Sequence, residues 1–169
     1  MTTPDAAYQL AQVNIGRLKA PLDSPQLKDF VDNLDPVNAD ADAADGFVWR
    51  LQSDGGDATD IAVFGDEWLI INMSVWRDGN ALTAYMYQGR HRAMLARRRE
   101  FFERVQEAMV ALWWVPAGHR PTVAEAEERL LHLRANGPTP YAFTPRTPFP
   151  AQGTEPVSLA VPEDLGCSV

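Results

Sequence analysis

Strict alternation opens the chain. From Tyr8 to Ile15, Tyr8, Leu10, Gln12 and Asn14 fall on one side and Ala11, Val13 and Ile15 on the other, the two-residue period of a strand. Ser24-Pro25 then reads as an N-cap with proline at the first helical position. Leu27, Phe30, Val31, Leu34, Val37 and Ala41 follow helical spacing. Pro36 falls inside that pattern and predicts a kink or a split helix, because it removes a backbone donor. Gly46 opens a second strand, Phe47 to Gln52, and Ser53-Asp54-Gly55-Gly56-Asp57 is turn chemistry. A third strand runs from Trp68 to Trp76.

Asp78 caps the next helix, whose inner face carries Ala81, Leu82 and Tyr85. Gly89 marks a break, after which Met94, Leu95, Arg98, Phe101, Phe102 and Val105 resume helical steps. Ala108 to Val115 is a fourth strand, apolar on both faces. Thr122 and Glu125 form a capping box for a last helix reaching about Arg134, and Asn136-Gly137-Pro138 stops it. Beyond lies a proline-rich stretch without periodicity, expected to be extended or disordered. Tyr141, Phe143 and Phe149 are its candidate anchors, on the body or on a partner subunit. The expected division is therefore one domain over 1–143 and a tail over 144–169.

The order β-α-β-β-α-β is the split βαβ pattern of an α+β, ferredoxin-like fold, a four-stranded antiparallel sheet with helices on one face. Its strands are apolar on both faces, and two helices cover only one. The economical solution is a second copy, two sheets closing into a dimeric α/β barrel, so the expected partner is the chain itself as a homodimer. The alternative is that the last helix and the tail cover that face.

Composition narrows the function classes. With 169 residues, 46% hydrophobic and 22% charged, the chain has the make-up of one globular domain. A net charge of −8 argues against a nucleic-acid partner. No run approaches a membrane span and no secretory signal is visible, so no membrane partner and a cytoplasmic location are expected. The single Cys167 fits a reducing compartment and offers no thiolate metal cluster. His91, His119 and His132 lack metal-ligand spacing, and there is no phosphate loop or Ser-His-Asp signature, so no metal and no bound cofactor are expected.

The third strand carries the strongest chemical hint. Leu69, Ile71, Met73 and Val75 share one face, whereas Ile70, Asn72, Ser74 and Trp76 share the other. An amide, a hydroxyl and an indole on a covered face shape a pocket, since burying them without partners costs on the order of 1–3 kcal/mol each. The helix behind that strand carries His91. Trp113 and Trp114 occupy opposite faces of the fourth strand, so one lines the pocket and the other packs.

Longer motifs extend this picture. Gly46-Phe47-Val48-Trp49-Arg50-Leu51, His91-Arg92, Arg97-Arg98-Arg99, the run Trp113-Trp114-Val115-Pro116-Ala117-Gly118-His119-Arg120-Pro121-Thr122, His132-Leu133-Arg134 and Gly137-Pro138-Thr139-Pro140 resemble the bacterial family catalogued as domain of unknown function 3291. The layout as a whole is similar to the dimeric α/β-barrel superfamily of antibiotic-biosynthesis-monooxygenase-like proteins. That resemblance implies a small-molecule enzyme of secondary metabolism, a cofactor-free monooxygenase, cyclase or isomerase acting on an aromatic or polyketide-like substrate. On that view His91, Asn14 and Tyr87 are the catalytic candidates, and Arg50, Asn72, Ser74, Trp76 and Trp114 the substrate-binding ones. The same resemblance offers an alternative, because haem-degrading members use an Asn, a Trp and a His from the elements that here carry Asn14, Trp76 and His91. A further alternative is a non-catalytic protein holding a hydrophobic ligand. Arg50 is out of phase with Phe47, Trp49 and Leu51, and pattern alone leaves open which set faces the pocket. His119-Arg120 reads as a structural turn or a pocket lid, and Arg98, on the apolar stripe, as the partner of a buried carboxylate.

Overall fold

The computed structural model describes residues 7–152 and Val157. Most of the expected tail beyond Gln152, with Cys167, lies outside the described residues. Four strands, β1 (Tyr8–Arg17), β2 (Phe47–Arg50), β3 (Leu69–Trp76) and β4 (Val110–Pro116), form one sheet in the order β2-β3-β1-β4. Every neighbouring pair is antiparallel. With helices α1 (Lys28–Asp42), α2 (Gly79–Met86), α3 (Gly89–Ala96), α4 (Arg98–Phe101) and α5 (Val123–Asn136), this α+β arrangement is consistent with a ferredoxin-like fold.

Local chemistry sets the boundaries largely as anticipated. Asp78 Oδ1 accepts from the Ala81 amide at 2.8 Å and starts α2. Gly89 adopts φ 57°, a left-handed value that glycine takes without strain, and separates α2 from α3. Thr122 Oγ1 accepts from the Glu125 amide and starts α5. Of the kink or split expected at Pro36, the split does not occur: α1 runs unbroken through it, and only a short 3-10 turn over Pro25–Leu27 precedes it. The ring forfeits a single hydrogen bond there, and the helix continues on both sides.

The larger correction concerns the second face of the sheet. Val13, Val75, Trp113 and Leu130 are 0% exposed within the single chain. Helix α5, through Ala126, Leu130 and Leu133, covers the Leu69, Ile71, Met73 and Val75 face, and Ala58, Val63 and Ala142 complete the cover. The argument that a second copy must close this face therefore does not hold. The α5 cover is pinned by polar contacts as well. The Trp113 indole donates to Glu125 Oε1 at 3.0 Å, and His119 Nε2 meets Glu125 Oε2 at 2.8 Å. His119 thus belongs to the start of α5, a structural turn. Phe143 anchors the chain after α5 by exchanging backbone bonds of 2.8 and 2.9 Å with Leu112 on the β4 edge.

A core closed by one chain has a thermodynamic signature. Leu130→Ala is expected to cost about 2–5 kcal/mol by opening a cavity between α5 and the sheet. A core that needs no second copy should give both proteins an unfolding midpoint that does not vary with protein concentration. A midpoint that climbs with concentration would restore the two-copy barrel.

Candidate functional site

The opposite face of the sheet is roofed by α1 to α4, and the roof does not rest on the floor. Ala41 is the only buried residue of α1, and α3 has none. Between them and the sheet lies a cleft of about 280 Å³. Two clusters hold the roof away. At one end Leu18, Leu27 and Phe101 pack with Phe30, Ile70 and Phe102. Gly16 lets the Phe102 ring lie on β1; a Cβ there would sit 2.7 Å from Phe102 Cδ1. At the other end Leu10, Trp76, Leu82 and Met86 pack with Phe47 and Tyr85. Ion pairs Arg97–Asp29 at 2.8 Å and Arg90–Asp40 at 3.7 Å tie α1 to its neighbours.

The floor is polar because β1 and β3 place Gln12 opposite Ser74 and Asn14 opposite Asn72. Gln12 Nε2 donates to Asn72 Oδ1 at 2.7 Å and to Ser74 Oγ at 2.8 Å. Trp76 Nε1 donates to the same Ser74 Oγ at 2.8 Å. With two donors on its oxygen, the Ser74 hydroxyl keeps its own hydrogen to give, and Asn72 keeps its Nδ2 hydrogens. Gln12 and Ser74 are buried, whereas Asn14 is half-buried and Asn72 is exposed within the cleft. Gln12 went unmarked in sequence reasoning; its alternation with Asn14 was the available signal.

Trp76 serves differently from expectation. It is 1% exposed, with Tyr85 stacked on it at 5.0 Å and Phe47 meeting it edge-on at 5.5 Å. It is a pillar at the end of the cleft, and its stacking face is taken. The phase of β2 is also decided. A bulge at Val48 pairs Phe47 with Trp76 but Arg50 with Ser74, so both reach the cleft side while Trp49 and Leu51 pack on the α5 side. Arg50 is nonetheless engaged, with Nε donating to Asp42 Oδ1 at 2.8 Å and one terminal nitrogen donating to the Gly56 carbonyl at 2.7 Å.

His91 stands on the roof. Its Nδ1 lies 2.8 Å from the Met86 carbonyl, which can only accept, so Nδ1 carries a hydrogen. In the neutral ring Nε2 is then the acceptor, and His91 lines the cleft. Burial lowers its pKa below the usual imidazole value, with the Met86 hydrogen bond opposing, which keeps it neutral at physiological pH. The Tyr85 ring lies 5.0 Å from the imidazole. Tyr85 OH donates to the Val37 carbonyl at 3.0 Å, and burial followed by the Asp40 charge holds the phenol protonated far beyond its ordinary range. It is a fixed phenol, not a base.

Two expected site residues lie elsewhere. Tyr87 is 4% exposed in the cluster around Trp76 and is not among the residues lining the cleft. It ends α2 and turns into the core, while Tyr85 takes the cleft position. Trp114 also stands apart from the cleft, its indole donating to the Phe149 carbonyl at 2.9 Å, so it secures the chain after α5. Of the expected set, the cleft brings together Asn14, Arg50, Asn72, Ser74, Trp76 and His91.

Comparison with known proteins adds family and little else. The family described as "Domain of unknown function (DUF3291)" matches over residues 9–159. A solved structure, titled as the NE2512 protein of unknown function from Nitrosomonas europaea, is 14% identical, with a TM-score of 0.43 over 69% of this chain and 96% of that one. No functionally curated protein matches.

Proposed function

The chain belongs to the DUF3291 family, and on the geometry of its cleft we propose a small-molecule enzyme in which His91 takes a proton from an aromatic or polyketide-like substrate. One observation carries this: the neutral acceptor nitrogen of His91 and the spare donors of Asn72 and Ser74 line one cleft. His91 Nε2 accepts the proton of an acidic C–H or O–H, and the substrate keeps the electron pair as an enolate or phenolate. The Ser74 hydroxyl and Asn72 amide, whose other bonds fix them in place, donate to that developing charge. The Phe30, Leu34 and Val37 side of α1 supplies an apolar roof. Such an anion reacts onward without a bound cofactor, as in a monooxygenase, cyclase or isomerase. We also propose a place in the antibiotic-biosynthesis-monooxygenase-like superfamily, a reading supported by element order and by the Asn14, Trp76 and His91 pattern.

Anthrone, an aromatic ketone whose enolate is coloured, is the test probe. At neutral pH the protein should bind it and raise the enolate absorbance, and His91→Ala should bind it without that change. Binding with no enolate in either protein would reduce the site to a ligand carrier.

A second reading has its own observation. A histidine whose Nδ1 hydrogen is held by a carbonyl leaves Nε2 free to bind a metal, so His91 would be the residue to hold haem iron. Haem, when bound, would supply oxygen activation at iron; Asn14 is one of the polar groups on the facing strands, with Gln12, Asn72 and Ser74. Hemin titration separates the readings. A Soret band lost in His91→Ala supports haem, and no band in either protein supports the cofactor-free route.

A further inference from the structure

The end of the cleft beside Phe101 and Phe102 is lined by two consecutive arginines from α4, Arg98 and Arg99. Arg98 was expected to meet a buried carboxylate. Instead one terminal nitrogen donates to the Leu95 carbonyl at 2.9 Å, and no carboxylate among the described residues forms an ion pair with it. Arg99 likewise forms no ion pair among the described residues; its backbone carbonyl receives Lys19 Nζ. The other cationic groups lining the cleft are already matched, Arg17 by Asp66 at 3.0 Å and Arg50 by Asp42 at 2.8 Å. Facing acidic groups are Asp57, whose Oδ1 is taken by Thr59, and the exposed Glu103.

Arg98 and Arg99, consecutive and half-buried as residues, put two cationic side chains at one end of the cleft with no ion pair among the described residues. Burial, then the charges of Arg98 and Arg104, lower the Arg99 pKa, the direction expected of a cation lacking its counter-ion. In a chain of net charge −8 this is a local cationic excess within a concave, partly apolar cleft. Such a site concentrates anions from solution against the repulsion of the whole molecule. Guanidinium geometry suits a planar two-oxygen anion.

From this we infer that the ligand of the cleft is an amphipathic carboxylate, its apolar or aromatic body over the Gln12–Asn72–Ser74 floor and its anionic end at Arg98 and Arg99. The inference rests on the cleft being a ligand site, and it goes further by fixing the charge and orientation of what enters. The carboxylate end lies toward α4, so the opposite end of the molecule is the part presented to the Trp76 and Tyr85 cluster.

The test is isothermal titration of the full chain with 2-naphthoate and with its neutral isostere 2-naphthamide. The wild type should prefer the acid by about tenfold or more at low salt, as charge-assisted pairing requires, and the preference should shrink as salt is raised. Arg99→Gln and the double variant Arg98→Gln/Arg99→Gln should bind both probes within about threefold of each other, while Arg99→Lys should keep part of the preference. Circular dichroism identical to wild type would show that the variants fold. Equal affinities in the wild type, or an undiminished preference in the double variant, would overturn the anionic end and leave the cleft intact. Failure of the wild type to bind either probe would overturn both the cleft as a ligand site and this inference.

Discussion

Alanine at position 91 is expected to lower turnover of a substrate deprotonated in the cleft by roughly 10²–10⁴-fold, the range a positioned general base contributes. Binding should change little, because His91 stands on the roof and is not the source of the floor's hydrogen bonds. The effect should therefore appear in kcat rather than in KM. Its pH dependence has a definite sign. The active form is neutral, and burial has lowered the pKa from its ordinary value, so the rate should stay level below the pH at which a free imidazole protonates. It should fall only as pH drops through the lowered pKa. Stability follows the same group in the same direction. The unfolded chain binds the proton first, so acidification below the ordinary imidazole pKa of about 6.5 costs stability until the lowered folded value is passed. His91→Ala should remove that part of the acid sensitivity. A rate profile with an unshifted imidazole pKa, or a variant that keeps its turnover, would dismiss His91 as the base.

Ser74→Ala is expected to be the most damaging small change in the cleft, at roughly 1–4 kcal/mol, because it strands one buried donor and takes one of two acceptors from another. Those donors are the Gln12 amide and the Trp76 indole, both of which end on Ser74 Oγ. The structure predicts how this cost divides. Trp76→Phe keeps most of the packing against Tyr85 and Phe47 but removes the indole hydrogen. In that background Ser74→Ala removes only one of the two Gln12 contacts, so the double variant should cost less than the sum of the singles by about 1–3 kcal/mol. Denaturant unfolding of the four proteins measures the difference directly. Simple additivity would mean that Ser74 does not connect the pillar to the floor.

The alternation of Tyr8–Ile15 and the two faces of β3 were legible from side-chain types alone, because a period of two admits one pairing of faces. Helix starts at Asp78 and Thr122 were legible for the same reason, since a capping side chain within three residues of its target acts locally. What could not be read was long-range. Nothing local distinguishes Tyr85 from Tyr87; the α2 turn and the Gly89 break decide which ring meets Trp76. Nor does the polar face of β3 announce Gln12, sixty-two residues before its partner Ser74. The alternative in which the last helix covers the second sheet face is the one the structure takes, because α5 turns Leu130 inward and Leu131 outward, and this removes the argument for a second copy without testing whether the chain pairs. The apolar stripe that carries Arg98 suggests a carboxylate within the protein, but that stripe faces an open cleft.

The bulge at Val48 has a consequence for sequence comparison. It acts as a phase shifter: upstream of it β2 counts in step with the Trp76 pillar, and downstream it counts in step with Ser74. Deleting Val48 would leave Phe47 opposite Trp76, Trp49 opposite Val75 and Arg50 opposite Ser74 in plain alternation, so the sides on which Arg50 and its neighbours emerge would be kept. Two relatives, one bulged and one regular, share a cleft edge only when aligned with a one-residue gap at Val48; without that gap the alignment matches cleft-facing positions to core-facing ones.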